Sequence, residues 1–372
     1  MRRFDSNKYN LMLIASGRPN FIKIVPLMNS FEKHATIRPV LVHTGQHYYG
    51  NMSDPFFSEL DIPEPDINLE VGAAPHAAQT ALIMERFEKV CLDMRPDMVM
   101  VVGDVKSTAA CTLVASELSI PTAHYEAGLR SHDRSMPEEM NRLFTDGICD
   151  YFFTTSSDAN DNLMREGKAA EHIFLVGNLM IDALIRLLPE VDTITNSSLI
   201  LPKGKGKNGY ALVTLHHPSN VDNIEMLMSI MKHLKQIAVK LPVVFPVHPR
   251  TLQQLRDVNC NILNWNVSLI EPVGYLLFLS LQKNATVVIT DSGSIQEETT
   301  VLGVPCLTIQ NNTERPITIW EGTNKLIDVN NIEKEVDNII KGNGKKGKVP
   351  DLWDGKSSER IRGILERLIV ES

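Results

Sequence analysis

The sequence predicts an α/β protein made of two Rossmann-like, doubly wound domains, with the active site expected in the cleft between them. Three observations carry this. Short apolar runs alternate with longer amphipathic stretches along most of the 372 residues. The runs are continuous in Val, Ile, Leu and Met rather than alternating with polar residues, as parallel strands covered on both faces require. The series also breaks once, at Ser197 to Tyr210, in a polar Gly/Lys-rich stretch that reads as a surface loop before a second series begins. We therefore expect a first domain over residues 1–180 and a second over 181–356, with a C-terminal helix in 357–372 packing back on the first.

In order along the chain, Asn10 to Ala15 reads as the first strand, followed by a Gly17-Arg-Pro turn and a helical segment from Asn20 to His34. Further strands are expected at Arg38–His43, Met98–Val102, Pro121–Tyr125, Tyr151–Thr155 and Ile173–Val176, with helices such as Ala77–Leu92 and Ser107–Leu118 between them. The second series has strands at Tyr210–His216, Pro242–His248, Val267–Glu271, Ala285–Asp291 and Pro305–Gln310. Gly342 to Lys348 reads as another mobile loop, and Ser357 to Ile369 is amphipathic and helical.

Hydrophobic residues at 43% and charged residues at 22% are those of a globular protein. The longest apolar runs fall well short of a membrane span, and the N-terminus carries no signal-like core, so a cytoplasmic location is expected. Five scattered cysteines make neither a metal spacing nor a disulfide framework and read as buried thiols. A net charge of −8 argues against a nucleic-acid partner but leaves room for a small anion held at a local positive site.

Three acids stand where chemistry is expected. Asp104 follows the apolar run Asp97 to Val102, Glu126 follows the strand ending at Tyr125, and Glu138 lies in what reads as the same Gly-, Arg- and Pro-rich loop region. In an open parallel sheet, ligands bind beyond the carboxyl ends of the strands, so these acids converge on one edge. Converging carboxylates suit proton transfer, because neighbours can be held in different protonation states. Each taken singly could equally cap a helix or pair with an arginine.

Two turns suit a diphosphate: Ser16-Gly-Arg-Pro-Asn-Phe-Ile-Lys23, with Arg18 and Lys23 in reach, and Thr290-Asp-Ser-Gly-Ser294, where Ser292, Gly293 and Ser294 open a helix. A helix N-terminus offers N–H donors and about half a positive charge. Either turn alone could be an ordinary helix start. The Gly-x-Gly-x-x-Gly fingerprint is absent from both, so a tightly held dinucleotide is not expected.

Taken in order, these segments resemble the non-hydrolysing UDP-N-acetylglucosamine 2-epimerases. The resemblance rests on Arg18-Pro-x-x-Ile-Lys23, Gly45-Gln-His47, Gly103-Asp104, Glu126-Ala-Gly-Leu-Arg130, Pro137-Glu-Glu and Asn141-Arg142. It continues through Val213-Thr-x-His216, Pro246-Val-His248, Thr290-Asp-Ser-Gly-x-Ile-Gln-Glu-Glu298 and Thr313-Glu-Arg-Pro316. It implies a glycosyltransferase-B-like fold, a homodimer, and a reaction with neither metal nor nicotinamide cofactor. In that reaction UDP leaves by anti elimination to a 2-acetamidoglucal, then adds back with a proton delivered to the opposite face of C2. Carried over by position, Asp104, Glu126 and Glu138 are the proton-transfer candidates, with His216 beside the diphosphate. Arg18, His216, Ser292 and Gly293 would hold the diphosphate, Glu298 the ribose hydroxyls, and Phe278 would lie near the uracil. Lys23, Arg142, His248, Ser294 and Arg315 complete the expected UDP-sugar contacts. On residue type alone, His248 reads as a core histidine, Phe278 as a packing residue, and the adjacent His216 and His217 point to opposite faces of a strand and do not chelate one metal.

The chain departs from the family pattern in several places. Ser16-Gly17 stands for Gly-Thr, Asn20 for Glu, His217-Pro-Ser-Asn220 for Arg-Arg-Glu, and Tyr48-Tyr49 for Arg-Glu. Arginine forks bind phosphate bidentately, so their loss predicts weak or absent activation by a second UDP-N-acetylglucosamine. Lys106 adds a cation beside Asp104, where close approach would favour the carboxylate form. The departures also admit a modified UDP-2-acetamido sugar as substrate. Other readings are a hydrolysing epimerase releasing N-acetylmannosamine and UDP, a glycosyltransferase on the same fold, or a UDP-sugar-binding protein; the acids and the first turn weigh against these.

Overall fold

The computed structural model describes residues 8–32, 34, 36–45, 59–194, 209–258, 260 and 265–371. The chain divides into two compact units, one of residues 1–186 with 351–372 and one of 187–350. The polar 197–208 stretch and the Gln46-His47-Tyr48-Tyr49 segment lie outside the described residues.

The first unit runs β1 (Tyr9–Ala15), α1 (Arg18–Glu32), β2 (Ile37–His43), β3 (Ile67–Asn68), α2 (His76–Met94), β4 (Met98–Val102), α3 (Lys106–Glu117), β5 (Thr122–Tyr125), α4 (Pro137–Ile148), β6 (Tyr151–Thr154), α5 (Ser157–Arg165), β7 (Ile173–Leu175) and the start of α6 (Leu179–Thr193), whose residues from Leu187 on belong to the second unit. Its strands form one parallel sheet in the order β3-β2-β1-β4-β5-β6-β7. Every residue of β4 and β5 is buried, so both faces are covered and the continuous apolar runs are accounted for. Each buried Val, Leu or Met contributes about 1.5–3 kcal/mol, so a register slip along β4 would cost several such terms. The C-terminal helix α14 (Ser357–Glu371) packs on α1, with Ser357 and Ser358 N–H groups donating to Asp182 at 3.0 and 2.7 Å.

The second unit runs β8 (Ala211–Thr214), α7 (Pro218–Val221), α8 (Ile224–Ala238), β9 (Val243–Pro246), α9 (Pro249–Asp257), β10 (Val267–Ile270), α10 (Tyr275–Lys283), β11 (Val287–Thr290), α11 (Gly293–Leu302), β12 (Cys306–Thr308), α12 (Ile317–Trp320), β13 (Asn324–Leu326) and α13 (Ile332–Ile340). Its parallel sheet has the order β10-β9-β8-β11-β12-β13. Along β8 the side chains alternate between layers. Ala211 and Val213 join the larger core with α8, and Leu212 joins Val244 and Val288 on the other face.

Two expectations are corrected. Glu138 is not in a loop: Pro137 at the first helical position starts α4, and Glu138 and Glu139 occupy its first turn, where the helix dipole favours acids. The Gly342–Lys348 segment is anchored rather than mobile. Lys348 N–H donates to Glu321 O at 2.8 Å, Lys345 Nζ to Asn324 O at 3.0 Å, and a Cβ on Gly347 would strike the Gly322 backbone. Strands β3 and β13, two and three residues long, escaped the sequence reading because so short a run carries no period. Among the described residues no helix is long and apolar enough to cross a membrane. The cysteines are free thiols, buried except for the half-buried Cys260.

Candidate functional site

In the first unit the strand order reverses between β1 and β4, which is where an open α/β sheet leaves a crevice. The turn after β1 and the end of β4 are tied there by Asn20. Its Oδ1 accepts from Ser16 Oγ at 2.9 Å and its Nδ2 donates to Val102 O at 3.0 Å. One turn further along α1, Lys23 places Nζ 2.6 Å from Glu126 Oε2, with both side chains all but buried. Glu126 has φ 72°, the left-handed region that disfavours a side chain. Such a conformation costs about 1–3 kcal/mol and persists only where its surroundings demand it. Gly103 has φ 73°, and a Cβ there would lie 3.2 Å from Glu126 Oε2 and 3.3 Å from Asn20 Nδ2. Glycine therefore lets the carboxylate and the amide close on the end of β4.

Asp104, half-buried, pairs with the Arg142 guanidinium of α4. Arg142 is itself 2% exposed and turns its other nitrogens to Glu139 Oε2, at 2.7 Å from Nη2 and 3.1 Å from Nε. Glu139 also accepts the Ser131 and His132 N–H groups at 2.9 and 3.0 Å. Burial pushes the Glu139 carboxyl up, but these donors and Arg142 outweigh it and hold its pKa below the ordinary value. Of the expected acids, Asp104 and Glu126 thus meet at the switch point, each with a cation, while Glu138 stands exposed on α4. The sequence reading missed Glu139, although its i, i+3 spacing to Arg142 on a helix was the available signal. Lys106 donates to Gln79 Oε1 at 3.0 Å, and Arg142 sets a cation on Asp104. Arg18 opens α1, and the structure describes its backbone only.

In the second unit the order reverses between β8 and β11. Asp291, after β11, accepts the N–H groups of His216 and His217 at 2.9 and 3.0 Å and the Asn220 amide at 2.9 Å. It thereby fastens the turn after β8 against the start of α11. The Ser292 N–H is held by Thr290 Oγ1 at 3.0 Å, and its hydroxyl faces Ser294 Oγ at 3.2 Å. Ser292 makes no side-chain cap bond, so the first turn of α11 presents its dipole beyond the turn. A Cβ on Gly293 would lie 2.6 Å from Glu314 Oε1 and 2.7 Å from Arg315 Nη1. Arg315 lies against that turn, held by Glu297 Oε1 at 2.7 Å and by Glu314. His216 sits at the strand end with Nδ1 3.3 Å from Thr214 Oγ1. Partial desolvation lowers its pKa, opposed by Asp291 and reinforced by His248, which keeps the ring neutral at pH 7.

Glu298 is buried on α11, where Tyr275 Oη donates to Oε1 at 2.8 Å and Gln282 Nε2 to Oε2 at 2.6 Å. Burial raises its pKa to about 7 against those two donors, with Glu297 adding to the rise. Phe278, partly buried on α10, packs against the core that holds Leu212 and Val288. His248 is not a core histidine: it is exposed, caps α9, and accepts the Arg250 N–H at 3.2 Å. The spacing Pro-Val-His-Pro-Arg would have shown this, since Pro249 at the first helical position makes the preceding residue the cap. Among the described residues, no three His, Cys, Asp or Glu side chains are grouped to hold a metal ion.

A sequence-family model for UDP-N-acetylglucosamine 2-epimerase matches residues 29–366. The UDP-N-acetylglucosamine 2-epimerase of Methanocaldococcus jannaschii is 42% identical over 361 residues, covering 95% of this chain and 98% of that protein. The crystal structure of a M. jannaschii UDP-GlcNAc 2-epimerase in complex with UDP-GlcNAc and UDP superposes with a TM-score of 0.86 at 40% identity, covering 96% of this chain and 99% of that one. The UDP-2,3-diacetamido-2,3-dideoxy-D-glucuronate 2-epimerase of Pseudomonas aeruginosa is 37% identical over 321 residues, covering 85% and 88%. With the two parallel-sheet units, these likenesses establish the glycosyltransferase-B-like fold class.

Proposed function

The chain belongs to the UDP-N-acetylglucosamine 2-epimerase family, and from that premise we propose that it interconverts UDP-N-acetylglucosamine and UDP-N-acetylmannosamine without hydrolysis. The observation that carries the proposal is the pair of carboxylate–cation contacts, Lys23–Glu126 and Arg142–Asp104, at the switch point of the first unit. Binding alone would need the phosphate turns and no such acids.

The reaction follows from what these groups can do. The C1–O bond breaks and its electron pair leaves with UDP. The C2–H pair becomes the C1=C2 bond of the 2-acetamidoglucal, and the C2 proton passes to a carboxylate. The C2 proton is weakly acidic, so departure of UDP leads and positive charge grows on the sugar ring, where the ionised acids stabilise it. UDP then returns to C1 while a second group delivers a proton to the opposite face of C2. Asp104, Glu126 and Glu138 are the proton-transfer set of this proposal. The α11 N-terminus with Ser292, Gly293 and Ser294, together with Arg18, Arg315, His216 and His248, would hold the diphosphate; Glu298 would hold the ribose and Phe278 the uracil. We extend the proposal to a homodimer working in the cytoplasm on precursors of surface polysaccharide.

The P. aeruginosa relative supports a second reading, the same C2 chemistry on a UDP-2-acetamido sugar modified elsewhere on the ring. Proton NMR in D2O with EDTA tests both. With UDP-N-acetylglucosamine, the first reading expects a UDP-N-acetylmannosamine anomeric signal and deuterium at C2 in both sugars. Free N-acetylmannosamine with UDP would refute non-hydrolysing epimerisation. No turnover of UDP-N-acetylglucosamine, with turnover of the diacetamido uronate, would establish the second reading instead.

A further inference from the structure

The three carbonyls that lead through the Asp104 turn are each held by a side chain. Val102 O accepts Asn20 Nδ2 at 3.0 Å, Gly103 O lies 2.8 Å from His124 Nε2, and Asp104 O accepts Asn141 Nδ2 at 2.8 Å. Asn20 and Asn141 were visible as motif residues. His124 was not, because a histidine inside an apolar strand reads as core. It is fully buried on β5, and its other nitrogen, Nδ1, lies 2.6 Å from Asp146 Oδ1.

Hydrogen-bond accounting fixes the state of this ring. A carbonyl oxygen only accepts, so Nε2 must carry a proton. Nδ1, facing the Asp146 carboxyl, orients the ring so that Nε2 meets that carbonyl. Asp146 is the ionised partner: its Oδ2 already takes the Gly128 N–H at 2.9 Å and an Arg130 nitrogen at 2.7 Å. Burial pushes the Asp146 carboxyl up, but His124, Arg130 and the Gly128 N–H outweigh it and hold it below the ordinary range. Arg130 is in turn gripped by Glu166 at 2.8 and 2.6 Å. The charges facing the ring therefore form one closed chain, Glu166–Arg130–Asp146–His124, ending on an uncharged carbonyl.

We propose that His124 is a positioning residue: a buried ring whose Nε2–H clamps the Gly103 carbonyl and so fixes the aim of the Asp104 carboxylate. The peptide it clamps has the left-handed φ of 73° and would crowd a Cβ against Glu126 and Asn20, so its orientation rests on such contacts rather than on ordinary backbone preference. Loss of the clamp lets that peptide rotate, and a displacement of about 1 Å at a reacting group can cost about 10²-fold in rate. The inference rests on the proposed epimerisation, with Asp104 in the proton-transfer set.

Two isosteres separate positioning from packing. His124→Gln keeps a donor near the Nε2 position and His124→Asn keeps one only near Nδ1. C2 deuterium exchange and UDP binding would be measured for both beside the wild-type protein. The expected result is a kcat lowered about 10²-fold in H124N and within about tenfold of wild type in H124Q, with UDP affinity unchanged in each. Equal losses in the two variants, or a loss carried by KM alone, would overturn the proposal. Should neither variant fold, ¹⁵N NMR of the histidine-labelled wild-type protein decides. A buried ring with a proton on Nε2 supports the clamp, and a ring protonated at Nδ1 alone refutes it. A wild-type protein that exchanges no C2 proton in any UDP-2-acetamido sugar would instead refute the epimerase reading, leaving the position of the ring's proton to be read separately.

Discussion

Replacing Lys23 by methionine keeps the apolar stem and removes one charge from the Lys23–Glu126 pair. The two atoms are 2.6 Å apart and both side chains are nearly buried. At that distance, and with an effective dielectric of about 20, the direct attraction is about 6 kcal/mol. Desolvation of both groups offsets much of it, so removal of one partner should cost about 3–5 kcal/mol, the range for a broken buried pair. The loss should depend on pH in one direction. Deprived of its ammonium, the Glu126 carboxyl is easier to protonate in the folded than in the unfolded chain. The folded variant then binds more protons, and the deficit against wild type grows as pH rises and shrinks toward pH 5. Urea unfolding of both proteins at pH 5.5 and 7.5 measures this. K23M/E126Q, which removes both charges, should regain about 2 kcal/mol or more over K23M at pH 7.5 yet show no recovery of C2 deuterium exchange. A K23M deficit below about 1 kcal/mol and flat with pH, or a double variant no more stable than the single, would refute the argument that this pair is a buried charge pair serving the site.

Other outcomes follow from the same geometry. Glu298, with its pKa raised to about 7 by burial, contributes stability that is full below about 4.5 and lost as pH rises through about 7. E298Q should therefore exceed wild type in thermal stability at pH 8, with the gain gone at pH 4, while calorimetry finds UDP binding about 10–100-fold weaker. Glu138 and Glu139 should separate cleanly. E138Q leaves the urea midpoint near wild type and lowers C2 exchange, whereas E139Q, which strips the buried Arg142 of one of its two carboxylates, costs about 3–5 kcal/mol. Initial rates should be hyperbolic in UDP-N-acetylglucosamine, because Tyr48 and His217-Pro218 stand where arginines would grip a second diphosphate; a sigmoidal curve would count against this.

The fold was legible because its signal is redundant. A run such as Met98–Val102 is apolar at every position, and nothing but a strand covered on both faces uses that pattern economically. The site was legible only in part. Asp104 and Glu126 announce themselves by standing after such runs. Their partners do not, because Lys23 and Arg142 reach them from helices 103 and 38 residues away in pairings that tertiary packing alone creates. Glu138 and Glu139 show the limit most plainly. Sequence cannot rank two adjacent acids, but the helix begun by Pro137 turns one to water and the other onto Arg142. His248 shows the converse, a residue whose strand-end position suggested burial and whose role was set by the proline after it.

The two switch points also differ in electrostatic character, and the difference matches the two kinds of charge the proposed reaction produces. In the first unit the strand ends present carboxylates, each already matched to a cation, Glu126 to Lys23 and Asp104 to Arg142. Such pairs keep acids ionised in a poorly solvated place, as is needed beside a sugar ring that gains positive charge and must lose a proton. In the second unit the strand ends present a helix dipole, two serine hydroxyls and a neutral histidine, with Asp291 spent on backbone N–H groups and Arg315 held between two acids. That is a set of donors carrying little net charge. It can receive a diphosphate leaving group as its charge grows, without binding it so tightly beforehand that the barrier to departure rises. An arginine in place of His217 or Asn220 would deepen the hold on the diphosphate in the ground state as well as in the transition state. Asn220→Arg is further barred, because its amide is committed to Asp291 and to Ile309 O, at 2.9 and 3.1 Å. His217→Arg, at a position that only caps a short helix, is the substitution this architecture can accept, and it should tighten UDP binding more than it raises kcat.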